Sequence, residues 1–137
     1  MQRTRPMTPE DLRRRTAEFA RRATEFARPL LSQVVTSDVA RQFLRAAAGA
    51  AANYRAAGRG RAHGEFVAKL GLALEEADEA QFWLEHLRDS RLVVPESLGE
   101  LTTLLAEAGE IVAIFTASRT TAARSARASQ SPRSRRG

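Results

Sequence analysis

The chain has 137 residues, about one domain's worth, with no cysteine, so disulfides and thiolate metal sites are excluded. Apolar residues make up 43% of it but aromatics only 6%, Ala dominates, and β-branched residues are scarce before Val93-Val94 and Ile111 to Ile114, which together predict an all-α fold of closely approaching helices. The formal charge of +6 is unevenly spread: residues 1–28 hold eight Arg against four acids, 119–137 hold six Arg and no acid, and 29–118 carry eight basic against twelve acidic residues.

In chain order, residues 1–8 read as a flexible start punctuated by Pro6. Thr8 can cap a first helix with Pro9 at its first position and Glu10-Asp11 in its first turn. Leu12, Phe19, Ala23, Phe26 and Leu30 form its apolar stripe, and Pro29 stops or kinks it. Ser37 or Asp38 caps a second helix, with Val39, Phe43, Ala46, Ala50, Tyr54 and Ala57 on one face. Gly58 and Gly60 end it. A third helix runs from about 62–65 to Arg88 and buries Phe66, Leu70, Ala73, Ala77, Leu84 and Leu87. Ser97 with Glu100 is a capping-box signature, opening a fourth helix whose core stripe is Leu98, Leu101, Leu105, Ala108, Ile111 or Val112, and Phe115. Apolar periodicity stops near Ala123. Residues 124–137 are expected to be a disordered Arg/Ser-rich tail. The sum is an antiparallel up-and-down four-helix bundle over 9–123.

No residue set suggests catalysis. A di-iron bundle needs Glu-x-x-His on facing helices, but Trp83 precedes His86 at that spacing and Gly60 precedes His63. Gly58-Arg59-Gly60 with Gly64 lacks the Lys-Ser/Thr of a phosphate loop and follows no strand, so it reads as a helix joint. The acids Glu75, Glu76, Asp78 and Glu79 have no nucleophile or base beside them. They read as a solvated face, with Glu75 or Glu79 partly buried against Arg45 or Arg55. Neither metal nor cofactor is expected. The charged start lacks the apolar segment of a signal peptide, and the run Ile111 to Phe115 is too short to span a bilayer. The expected location is cytoplasmic.

Arg41, Arg45, Arg55 and Arg59 share the face of the second helix opposite its apolar stripe, a row about 27 Å long. Arginine's planar fork suits phosphate, so this row is a candidate polyanion surface; pairing with acids of the third helix or of another subunit is the structural alternative. Consecutive Phe82 and Trp83 cannot both face one core, which places one of them at a second interface and points to self-association.

Ala52-Asn53-Tyr54-Arg55-Ala56-Ala57, Glu65-Phe66, Lys69-Leu70, Glu75-Glu76, Glu79 and Phe82-Trp83-Leu84 resemble, in order and spacing, the proteins encoded by intervening sequences within bacterial 23S rRNA genes. Ala56 departs from the pattern, which has an acid there. The resemblance covers roughly residues 35–118 and implies an up-and-down four-helix bundle assembling as a homopentamer. The accessory protein of diversity-generating retroelements is similar, a basic pentameric barrel that binds a reverse transcriptase and nucleic acid.

The expected function is therefore a non-enzymatic oligomer that binds RNA or DNA through Arg41, Arg45, Arg55, Arg59 and Arg61, with Arg119, Arg124 and Arg127 of the basic tail adding affinity without sequence readout. The alternative is a protein-interaction scaffold, for instance an accessory factor for a reverse transcriptase.

Overall fold

A computed structural model describes residues 5–129; residues 1–4 and 130–137, which hold parts of the expected flexible start and tail, lie outside the described residues. Four helices follow one another: α1 (Pro9–Ala27), α2 (Ser37–Ala57), α3 (His63–Asp89) and α4 (Leu98–Ser129), with one-turn 3-10 helices at Arg28–Ser32 and Pro95–Ser97. Each packs on its sequence neighbour, and α1 also touches α4, so the chain is the all-α, antiparallel four-helix bundle that the periodicity predicts.

The helix ends follow local chemistry. The Thr8 hydroxyl accepts from Asp11 N–H and the Asp11 carboxylate accepts from Thr8 N–H, both at 3.0 Å, a reciprocal capping box with Pro9 at the first position. Arg5 closes on the same carboxylate at 2.6 and 2.7 Å. These donors hold Asp11 well below the usual carboxylate range, the Arg5 hydrogen bonds first and the Thr8 bonds next. At Pro29 the missing N–H converts the helix to a 3-10 turn.

Two expected caps differ. The residue before α2 is Thr36, not Ser37 or Asp38, and its buried hydroxyl donates to Leu30 O at 2.7 Å, tying the connection back to the 3-10 turn that follows α1. Ser97 belongs to the 3-10 turn that runs into α4, and Glu100 reaches across to Arg22 at 2.9 Å instead of folding back on Ser97. The end of α3 carries the left-handed residue that usually is glycine: Arg91 has φ 54°. There Leu92 N–H donates to Leu87 O and Arg91 N–H to Arg88 O, the two bonds of a Schellman motif.

The core runs the length of the bundle. Phe43 is fully buried and packs perpendicular to Phe19 and Phe26 at centroid distances of 6.5 and 6.2 Å. Tyr54 stacks on Phe115 at 5.2 Å. Leu70, Leu84, Leu87, Leu101, Leu104 and Ile111 fill the layers between them. Of the expected core, Val39, Phe66 and Leu105 are only half-buried, Leu98 is exposed, and Leu104 and Ala80 are buried in addition.

Both α2 and α3 bury several alanines, Ala40, Ala46, Ala47 and Ala50 on the one and Ala73, Ala77 and Ala80 on the other, small residues that let helices approach closely. Gly49 of α2 faces α3, where an added Cβ would sit 2.9 Å from the Glu76 carboxyl carbon. Glu76 is therefore the acid turned toward α2, while Glu75 and Glu79 are exposed, a correction to the sequence expectation. Helix α1 is tied to α4 by polar contacts: Arg15 grips Glu107 with two bonds of 2.6 and 2.7 Å and also pairs with Glu110, and Arg22 pairs with Glu100.

Burial raises the Glu76 carboxyl above its ordinary range, helped by Glu79 and Glu75 and opposed by Arg45. Its folded-state pKa thus exceeds the unfolded one. The ionised form weakens the fold, a cost absent below the ordinary carboxylate range and complete above the raised value. Glu76→Gln is expected to raise the thermal midpoint at about pH 7 and to leave it nearly unchanged near pH 4. An unchanged or lower midpoint at neutral pH, in calorimetry of both proteins, would remove the burial argument.

Helix α4 is longer than expected. It continues to Ser129, past the Ala123 at which the tail was to begin. The stretch Pro95–Ser125, which joins the second 3-10 turn to most of α4, is also long and apolar enough to cross a membrane by the length and composition of its most apolar window, which the short run Ile111 to Phe115 did not suggest. In the bundle, Leu101, Leu104, Ala108, Ile111 and Phe115 of that stretch are core residues, yet only 28% of the window is buried.

Candidate nucleic-acid interface

Antiparallel order brings the start of α1, the end of α2, the start of α3 and the end of α4 to one end of the bundle. A groove at that end is lined by Pro9, Glu10 and Arg13 of α1, Tyr54, Arg55, Gly58 and Arg59 of α2, Phe66 of α3 and Ser118 of α4. His63, the first residue of α3, has its Nε2 3.0 Å from Ala122 O. The part of α4 beyond Ala122 therefore lies at or past the start of α3 and carries Arg124 and Arg127 outward.

The charges sort with the topology. Residues 5–14, 52–69 and 116–129, which make this end, hold ten basic side chains against three acids. Residues 22–41 and 79–103, at the opposite end, hold five against seven. The basic terminal segments and the arginines of the α2–α3 joint thus form one surface.

The predicted arginines do not all belong to it. Arg41 is in the first turns of α2, at the opposite end, and pairs with Asp38. Arg45 is exposed and lies within the electrostatic reach of Glu76. Arg55 and Arg59 are exposed and share a second groove with Glu10, Arg13, Arg14 and Ala17 of α1. Arg61 is exposed in the joint, where its backbone N–H donates to Glu65 Oε2 at 2.9 Å. Arg119 lies beside Gly71 of α3, its guanidinium carbon 3.8 Å from where a Cβ there would be. Arg124 and Arg127 are exposed on the extension of α4. The row on α2 is thus divided: its second half joins the basic end, and its first half does not.

Sequence reasoning missed Arg13 and Arg14. Both are exposed and pair only with acids one turn away, Arg13 with Glu10 and Arg14 with Asp11 at 3.2 Å. Such exposed pairs are weak and can exchange a carboxylate for a phosphate. Among the described residues no carboxylate forms an ion pair with Arg55, Arg59, Arg61, Arg119, Arg124 or Arg127. The available signal was the antiparallel pairing of α1 with α2, which sets residues 10–14 beside 55–59.

The aromatic pair divides as its spacing required. Trp83 is half-buried against the core and donates to Glu79 Oε1 at 3.3 Å, while Phe82 is 55% exposed. His86 stacks on Phe82 at 6.2 Å, so the outer face of α3 bears a small aromatic cluster. Among the described residues no group of three or more His, Cys, Asp or Glu side chains is placed to hold a metal ion.

No protein-family model matches the chain, and no curated protein does. Among solved structures, the chain is similar to a Bacteroides thetaiotaomicron protein described as being of unknown function and from the S23 ribosomal protein family. The two superpose with a TM-score of 0.74 over 83% of this chain and 99% of that one, at 24% sequence identity. This likeness establishes a shared fold, and that fold is the one the intervening-sequence resemblance implied.

Proposed function

We propose that this chain is a non-enzymatic member of the intervening-sequence protein family that binds RNA or DNA through the basic end of its bundle, by charge and shape rather than base readout. The observation that carries this is the gathering of Arg13, Arg14, Arg55, Arg59, Arg61, Arg119, Arg124 and Arg127 at one end, six of the eight with no carboxylate partner among the described residues. Arg41 and Arg45 are left outside the interface. A surface of this kind binds by releasing the counterions condensed on the nucleic acid, so its affinity falls steeply with salt.

The protein acts as a homo-oligomer in the cytoplasm, with the pentamer implied by the resemblance as the expected size. Exposed Phe82 and the outward residues Ala113 and Ala117 of α4 supply apolar surface for this contact. A second reading, a scaffold or accessory factor for another protein, is favoured by the opposite end. There Leu31, Val34, Val35, Val94 and Leu98 are exposed, Val34 at 95%.

Fluorescence anisotropy of labelled RNA and DNA with the full chain, at about 50 and 200 mM salt, tests the choice, alongside light scattering for the oligomer. The proposal expects binding at the lower salt and a large loss at the higher one. Stable oligomers without binding at the lower salt would favour the scaffold and end the nucleic-acid reading.

A further inference from the structure

The basic end holds more than charge. Phe66, half-buried in the first turns of α3, separates two hollows. One is the four-helix groove containing Arg13, Arg55 and Arg59. The other, an open hollow of about 450 Å³ between the start of α3 and the end of α4, is lined by His63, Phe66, Ala117, Ser118, Thr121, Ala122 and Ser125. The His63 ring lies 6.4 Å from Phe66 at 36°, and the bond from its Nε2 to Ala122 O fixes its position. The two rings make a small platform at the floor of an arginine-rich surface.

The same surface carries hydrogen-bonding capacity. The hydroxyls of Tyr54, in the first hollow, and of Ser118, in both, have no partner among the described residues. Arg119 lies between α3 and α4, beside Gly71, and Arg124 about one and a half turns further along α4. Cations of the neighbouring groove and of the end of α4 thus share this end of the bundle with an aromatic and hydroxyl-bearing floor.

A duplex would use only the cations, because its bases are stacked inside. A single strand can use all of these features, since an unstacked base offers a π-face to a ring and a polar edge to a hydroxyl. We propose that this end takes single-stranded RNA or DNA, seating one unstacked base against Phe66 and His63 in the α3–α4 hollow. The flanking phosphates lie on Arg55 and Arg59 of the neighbouring groove and on the arginines of the end of α4. This rests on the nucleic-acid reading above and narrows it to one strand form and one seat.

The test is anisotropy of the full chain with a labelled mixed-sequence strand of about 15 nucleotides, as RNA and as DNA, against the duplex of the same length. Wild type is expected to prefer the single strands. Phe66→Leu keeps an apolar side chain but loses the ring, and is expected to weaken single-strand binding about tenfold while leaving duplex binding and the salt slope unchanged. Phe66→Tyr is expected to retain most of the affinity. Equal affinity for strand and duplex, or an unaffected Phe66→Leu, would overturn the seat while leaving the nucleic-acid reading intact. No binding of either form at low salt would overturn both. Photo-cross-linking of a thiouridine-bearing strand to wild type gives a readout that does not depend on a variant's folding. Adducts at 63–66 or 117–125 support the seat, and adducts confined to other segments reject it. Comparison of the RNA and DNA arms shows which sugar is accepted.

Discussion

Replacing Phe43 by alanine is expected to destabilise the fold by about 3–5 kcal/mol, the cost of truncating a fully buried aromatic ring. Phe43 is 0% exposed and is the shared partner of Phe19 and Phe26, whose rings lie nearly perpendicular to it. Its removal forfeits two edge-to-face contacts, each about 0.5–1.5 kcal/mol, and leaves a cavity between α1 and α2. Domains of this kind are stable by only about 5–15 kcal/mol, so the variant is expected to unfold at much lower urea, followed by far-UV circular dichroism at fixed protein concentration. A loss below about 1 kcal/mol would mean that the aromatic hub is not central to the core.

The second large effect is on binding. Changing Arg13, Arg14, Arg55 and Arg59 together to glutamine is expected to weaken nucleic-acid binding on the order of a hundredfold at moderate salt and to flatten the log–log salt slope by up to about three units. The four side chains share one groove between α1 and α2. The control removes equal charge elsewhere: Arg28, Arg41, Arg88 and Arg91, at the opposite end, changed to glutamine. Three of those four already face a carboxylate, Glu25, Asp38 and Asp89 respectively. Binding is expected to survive the control nearly intact. If the two sets weaken binding equally, net charge governs the affinity and no localised interface exists.

The helices and most of the core were legible because burial imposes a period on the sequence. Thr8, Pro9 and Asp11 marked one helix start by chemistry that acts within a single turn, and Pro29 marked its end. Features that depend on a neighbouring helix were less legible. Of Glu75, Glu76 and Glu79, Glu76 lies nearest the buried stripe of α3, and Gly49 of α2, which has no side chain, leaves room for its carboxyl group. The arginine row on α2 was visible as a face, but its partners were not: Asp38 takes Arg41, whereas α1 brings two further arginines to Arg55 and Arg59. Arg15, adjacent to Arg14, is instead committed to Glu107 and Glu110. The end of α4 escaped notice because periodicity reports an apolar stripe and not helicity. Ala, Arg and Ser can continue a helix after its stripe has ended.

The charge polarity of the bundle is a matter of parity. An even number of antiparallel helices returns the chain to the end at which α1 began, so arginines far apart in sequence, such as Arg13 and Arg124, become neighbours of one joint. Gain or loss of a single helix would send the last arginines to the acid-rich end and dissolve the surface, with composition and net charge almost unchanged. The count of helices, as much as the count of arginines, determines whether this chain presents a cationic face.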